Sequence, residues 1–262
     1  MINRLAKEFR DKVLSGECVV GTFLNMGSSV SAEIAALSGW DWVVIDLEHG
    51  AAGEAGLLPQ LHGLASGGVT APIVRIEVGA RLRVGRALDL GAAGVMAPRV
   101  DSEAEAQALV SWARYPPAGE RGVALMARAG RYGRLSHAEV PEVNESVLTI
   151  VQVETRSAVD DVKGIASVPG VDVLFVGPSD LSHSLGVPGA FGDSRFTEQL
   201  DRIVDAATAA GKVLGVLVRR VEDAKQYWDR GFRFIGIGSD SATLFEGSLS
   251  TVDAARAVLS DR

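Results

Sequence analysis

Short runs of apolar residues recur along the chain. Each ends at a polar or glycine-marked stop, and a stretch of helical period follows it. The runs are Val19 to Leu24, Trp42 to Asp46, Pro72 to Arg75, Gly94 to Pro98, Leu148 to Val153, Val173 to Val176, Val213 to Val218 and Phe234 to Ile237. Strand-length runs alternating with helical stretches predict a parallel sheet whose strands are joined by helices. Periodicity alone leaves a closed barrel and a doubly wound open sheet equally open. Two counts favour the barrel: eight runs is its strand number, and 262 residues is close to the roughly 250 that a (β/α)8 barrel occupies.

A weak internal repeat agrees with this division. Gly39-Trp40-Asp41, Gly170-Val171-Asp172 and Gly231-Phe232-Arg233 each put a glycine between a helical stretch and the next strand, where a left-handed cap ends a helix. Met1 to Gly16 mixes Arg4, Lys7, Glu8, Arg10, Asp11 and Lys12 with Leu5, Phe9 and Val13. It reads as an amphipathic helix that plugs or flanks the barrel, not as a signal segment. Between the fourth and fifth strands, Tyr115 to Arg134 carries Pro116-Pro117, four glycines and four arginines, and ordered loops of this length tend to be functional. No linker or low-complexity tract divides the chain, so residues 1–262 are expected to form one barrel domain.

Composition narrows the partners. A formal charge of −7 excludes a general affinity for nucleic acid phosphates or anionic lipid, which leaves small molecules. No apolar run approaches the ~20 residues of a membrane span. Cys18 is the only cysteine, so an intrachain disulfide and a thiolate metal cluster are both excluded, and a reducing cytoplasm is the expected compartment.

Catalytic groups of an α/β barrel cluster just beyond the strand C-termini. Here strand two ends Asp46-Leu47-Glu48-His49, strand three at Arg75, strand four at Pro98-Arg99 and strand five at Gln152-Val153-Glu154. Strand six runs into Gly177-Pro178-Ser179-Asp180, and strand seven into Arg219. One polar strand end is unremarkable, but six together point to a site. Glu154 and Asp180 fall at adjacent strand ends, where two carboxylates can share one hard divalent cation, or else stand as exposed or salt-bridged acids.

His49, beside two acids, suits a general base near neutral pH. Arg75 can hold a carboxylate or an enolate oxygen, or can form a plain salt bridge with Asp46 or Asp89. The four histidines offer no zinc-type pair. None of the five lysines sits at a strand C-terminus, so a Schiff-base mechanism has no nucleophile.

Several of these segments carry a resemblance. Ile45-Asp46-Leu47-Glu48-His49-Gly50, Pro72-Ile73-Val74-Arg75, Arg114-Tyr115-Pro116-Pro117 with Arg121-Gly122, Gln152-Val153-Glu154-Thr155 and Val176-Gly177-Pro178-Ser179-Asp180-Leu181 occur in this order. Together they resemble the HpcH/HpaI aldolase/citrate lyase family, in its branch of class II 4-hydroxy-2-oxoheptanedioate and 2-dehydro-3-deoxyglucarate aldolases. The resemblance implies a (β/α)8 barrel with Mg2+, Mn2+ or Co2+ on Glu154 and Asp180.

It further implies pyruvate bound near Gln152, Gly177, Pro178 and Ser179, with Arg75 stabilising its enolate. His49, assisted by Asp46 and Asp89, would act as acid and base through a water on the metal. The reaction implied is reversible cleavage of a 4-hydroxy-2-oxo acid to pyruvate and an aldehyde. A homohexamer, a trimer of dimers, is also implied, with the last helix packed on a neighbouring barrel through Leu244, Phe245, Val252 and Val258.

The chain departs from the heptanedioate aldolase pattern at Arg121 to Arg128 and at Leu47, which leaves the aldehyde open. Alternatives are a citryl or malyl thioester lyase, a citrate-forming relative, and a barrel that binds a metabolite without catalysis.

Overall fold

The computed structural model describes residues 2–260. Met1, Asp261 and Arg262, which the single-domain expectation includes, lie outside the described residues. Eight parallel strands close into a barrel in chain order, so the open-sheet alternative falls. They are β1 (Val19–Leu24), β2 (Trp42–Asp46), β3 (Ala71–Arg75), β4 (Gly94–Ala97), β5 (Leu148–Val153), β6 (Val173–Val176), β7 (Val213–Val218) and β8 (Phe234–Ser239), and β8 pairs back onto β1. The three glycines of the internal repeat, Gly39, Gly170 and Gly231, all take φ near +90°, which only glycine adopts without a Cβ penalty.

Strand alternation divides the core into two layers. Phe23, Trp42, Val44, Ile73, Met96, Ile150, Phe175 and Phe234 fill the barrel interior. Their neighbours, such as Val43, Val74, Val95, Val151 and Leu174, face the surrounding helices. Inside, the Trp42 ring stacks on Phe234 at 4.1 Å, and a Cβ on Gly21 would fall 2.2 Å from the Trp42 ring, so a side chain there has no room.

The N-terminal helix, Ile2–Leu14, plugs the end of the barrel where the strands begin. Its Ala6, Phe9 and Val13 repeat at helical spacing and join the interior cluster, with Phe9 edge-on to Phe234. A buried ion cluster clasps this plug. Arg10 grips Asp172 with two hydrogen bonds of 2.8 and 3.1 Å, and Asp172 also accepts the Thr149 backbone N–H. Arg114 lies 3.8 Å from Asp172 and donates to Thr149 Oγ1 and the Val147 carbonyl. Burial pushes the Arg114 pKa down to about 10, against the pull of Asp172. Replacing Asp172 by Ala strands two cations and is expected to cost about 3–5 kcal/mol of unfolding free energy, measured by urea denaturation. A loss within experimental error would show that the clasp does not hold the plug.

The arginine-rich stretch Tyr115 to Arg134 does not reach the mouth of its own barrel. The helix Glu103–Ala113 runs back beside β5 and the helix Arg81–Asp89 and delivers this stretch to the strand-start end. There Arg121 pairs with Asp89 at 2.7 Å, while Arg128 donates to the carbonyls of Leu90 and Leu61.

Candidate active site

At the opposite end, strand register decides which side chains meet. β2 and β3 pair with Asp46 beside Arg75, and β5 and β6 pair with Val153 beside Val176, which sets Glu154 next to Gly177. A cavity of about 450 Å3 opens here, lined by Glu48, His49, Arg99, Asp101, Glu154, Arg156, Asp180 and His183 among others.

Arg75 is the hub of one wall. Its Nε and Nη2 donate to the two oxygens of Asp46 at 2.9 and 2.7 Å, and its Nη1 lies 3.0 Å from Glu48 Oε2. Burial works against the guanidinium charge. The hydrogen-bonded Asp46 and the charges of Asp46, Glu48 and Glu154 outweigh it and raise the Arg75 pKa. An arginine has five N–H donors, so two remain after these three contacts. Of the salt bridges left open by the sequence, the one with Asp46 forms, and Glu48 takes the place of Asp89.

Glu154 is the hub of the other wall. It is buried, its Oε1 accepts the Arg99 backbone N–H at 2.8 Å, and its Oε2 accepts from Gln152 Nε2 at 3.0 Å. Burial, with the charges of Asp180 and Glu48 adding to it, pushes the carboxyl pKa up to about 7. Asp180 sits in the first turn of the helix Pro178–Ser184, where a negative charge is favoured, and it lines the same cavity. Gly177 precedes that helix, and a Cβ on it would come within 2.6 Å of Glu154 Oε2, so a side chain there would push the carboxylate aside.

These features fit a hard cation. Two carboxylates meet in one cavity at a cost that positive charge relieves, and the buried Gln152 Oε1 has no hydrogen-bond partner. Among the described residues no group of three or more His, Cys, Asp or Glu side chains is poised to hold a metal, so a cation between Glu154 and Asp180 would take its other ligands from water or substrate.

His49 stands at the rim with its side chain 66% exposed, and its Nε2 lies 3.9 Å from Glu48 Oε2. Asp46 touches His49 only through the backbone, since Asp46 Oδ1 accepts the N–H groups of Glu48 and His49 while both its oxygens are held by Arg75. Asp89 is not brought to His49 within this chain. It ends the helix Arg81–Asp89, which descends from the mouth to the far end of the barrel. Pro178 and Ser179 line a second cavity, of about 630 Å3, between β6 and β7.

Two participants escaped sequence reasoning. Glu48 shares a face with Asp46, but only the register shows that it grips Arg75. Arg99 takes φ +49°, rare for a residue with a side chain, and its N–H fixes Glu154; no glycine or asparagine marks the spot. Thr155 caps the following helix by accepting the Ala158 N–H, a cap that the Glu-Thr-Arg segment could have suggested, and its hydroxyl donates to Asp101.

This architecture is shared with known proteins. A 2-keto-3-deoxy-L-rhamnonate aldolase of Escherichia coli (strain K12) is 37% identical over 238 residues, which cover 90% of this chain and 88% of that protein. The crystal structure of an HpcH/HpaI aldolase/citrate lyase family protein from Burkholderia cenocepacia J2315 superposes with a TM-score of 0.91 at 33% identity, over 95% of this chain and 99% of the other. That of the citrate synthase SbnG superposes with a TM-score of 0.84 at 26% identity, over 94% and 96%. The HpcH/HpaI aldolase/citrate lyase family matches residues 20–246, so the chain belongs to that family of carbon–carbon lyases, as an enzyme of its aldolase kind.

Proposed function

We propose that the enzyme is a divalent-metal-dependent aldolase that reversibly cleaves a 4-hydroxy-2-oxo acid to pyruvate and an aldehyde. The observation that carries this reading is the convergence of Glu154 and Asp180 on one cavity at the C-terminal mouth, with Arg75 held behind it by the cavity residue Glu48 and near enough for the charge of Glu154 to act on its guanidinium. Glu154 and Asp180 would hold Mg2+, Mn2+ or Co2+. A cation held there would draw electrons from the carbonyl of the oxo acid.

The chain's own groups supply the rest. His49 takes the proton of the 4-hydroxyl, the C3–C4 bond breaks, and its electron pair passes to C3 as the aldehyde departs. Arg75 turns its two remaining N–H donors to the negative charge on the enolate oxygen, and C3 then takes a proton to give pyruvate. Gln152 and Gly177, both against Glu154, would line the pyruvate end, and Pro178 and Ser179 would reach it only from the side of the second cavity. Asp46 and Glu48 hold the Arg75 fork in place, which keeps the enolate donors aimed before substrate arrives.

The assembly follows from the same placement. The helix Asp240–Leu259 has no buried residue and exposes Leu244, Phe245, Leu249, Val252 and Val258, an apolar face suited to a neighbouring barrel in a hexamer. Asp89 can assist His49 only from another protomer, since its own chain holds it at the far end of the barrel.

With Mg2+, Mn2+ or Co2+ supplied, the protein is expected to exchange the methyl protons of pyruvate with deuterium in 2H2O, followed by proton NMR. Failure with all three metals would remove the enolate chemistry. The likeness to the citrate synthase SbnG supports a second reading, in which the same enolate adds to a 2-oxo acid. Condensation with oxaloacetate in place of aldehydes separates the two.

A further inference from the structure

We propose that Arg99 determines specificity by receiving an anionic group on the aldehyde half of the substrate. The inference rests on the aldolase reading above and concerns the part of the substrate that does not reach the cation. Its starting point is the unusual backbone of Arg99. A φ of +49° is costly for a residue with a Cβ, and strain of this kind persists where the surroundings enforce it. Here the enforcing contact is the Arg99 N–H on Glu154 Oε1, at 2.8 Å. The Cα of Arg99 is therefore pinned one residue from the reacting centre, and the side chain lines the cavity that holds Glu154, Asp180 and His49.

The charges around that cavity are otherwise engaged. Glu48 is held by Arg75 at 3.0 Å, Glu154 by Arg99 N–H and Gln152, and Asp101 by the Thr155 hydroxyl. Asp180 and Glu154 together face the cation position. Among the described residues no carboxylate lies within 4.0 Å of the Arg99 guanidinium, and the same holds for Arg156, which lines the cavity too. Arg75 is locked by three contacts and cannot follow a ligand, whereas Arg99 can.

About 450 Å3 is far more than a three-carbon oxo acid fills, since a water takes about 30 Å3 of liquid volume. Arg99, Arg156 and His183 contribute to the lining of that room. A carboxylate or phosphate on the aldehyde half would meet a guanidinium fork there, while an uncharged aldehyde would leave it in water.

The test measures kcat/KM for addition of pyruvate to succinic semialdehyde, to glyceraldehyde 3-phosphate and to uncharged butanal, in the metal-loaded enzyme. The wild type is expected to prefer at least one of the anionic aldehydes over butanal. Arg99→Asn and Arg99→Gly, both of which tolerate positive φ, should reduce that preference by about tenfold to a hundredfold, and Arg99→Lys should keep most of it.

Which anionic aldehyde loses more identifies the group as carboxylate or phosphate. Equal losses on charged and uncharged aldehydes, or an unaltered preference in both Arg99→Asn and Arg99→Gly, would overturn the assignment. So would a wild type that exchanges pyruvate protons yet shows no preference for either anion. A wild type that exchanges no protons would instead bring down the aldolase reading, and this inference with it.

Discussion

Replacing Glu154 by Gln is expected to cut metal-dependent turnover by about a thousandfold and, at the same time, to make the metal-free protein more stable above neutral pH. The two effects share one cause. Burial, reinforced by the charges of Asp180 and Glu48, pushes the Glu154 pKa up to about 7, against an ordinary value of 4.5. Between those values the folded chain keeps a proton that the unfolded chain has released. The contribution of Glu154 to the stability of the metal-free protein therefore falls as pH rises from about 4.5 to about 7 and is level beyond, by about 3 kcal/mol in all.

A glutamine carries no charge at any pH and escapes that decline. Its amide also meets Gln152, whose buried Oε1 has no partner and can accept from it once the Gln152 amide turns. On the proposed role of Glu154 the variant loses an anionic oxygen for the cation, and with it on the order of a thousandfold in rate. Urea unfolding of both proteins in EDTA at pH 5 and pH 8, with turnover in Mg2+, Mn2+ or Co2+, reads both effects. Retained metal-dependent turnover would remove Glu154 from the centre, and a wild type equally stable at both pH values would contradict its raised pKa.

Why the sequence showed Glu154 but not the role of Arg99 is a matter of how far local pattern reaches. A parallel strand buried on both faces is a short, nearly continuous apolar run, so all eight strands were visible, with ends within a residue or two of Ala71–Arg75, Gly94–Ala97 and Phe234–Ser239. Barrel closure was not visible, because an open sheet has the same alternation; it emerges from the pairing of β8 with β1. Period two put Asp46 and Glu48 on one face, but the register that sets Asp46 beside Arg75 depends on two separate segments. The left-handed turn at Arg99 turns its N–H to Glu154, 55 residues away, a partner that leaves no mark among its sequence neighbours. The resemblance placed Asp89 with His49, and the length of the Tyr115 to Arg134 loop suggested a function, but the direction of the helices, which carries both to the opposite end of this barrel, cannot be read from local pattern.

Changing Arg75 to Lys is expected to lower turnover by about a hundredfold while costing only about 1–2 kcal/mol of stability. An ammonium keeps the positive charge, so Asp46, Glu48 and Glu154 are not left facing one another without a cation. It has no planar fork, however, and cannot span both oxygens of Asp46 while reaching Glu48 Oε2. The N–H donors aimed at the enolate oxygen lose their fixed direction, and the loss is felt mainly where charge develops.

The rate of pyruvate proton exchange at saturating pyruvate should therefore fall far more than the apparent affinity for pyruvate changes. Arg75→Met separates charge from geometry. It leaves three acids around the cavity without their cation and is expected to lose about 3–5 kcal/mol of stability, well beyond the lysine variant. Unchanged exchange in Arg75→Lys would reduce the arginine to a brace for Asp46 and Glu48. A rate loss no larger than the loss of folded protein would do the same.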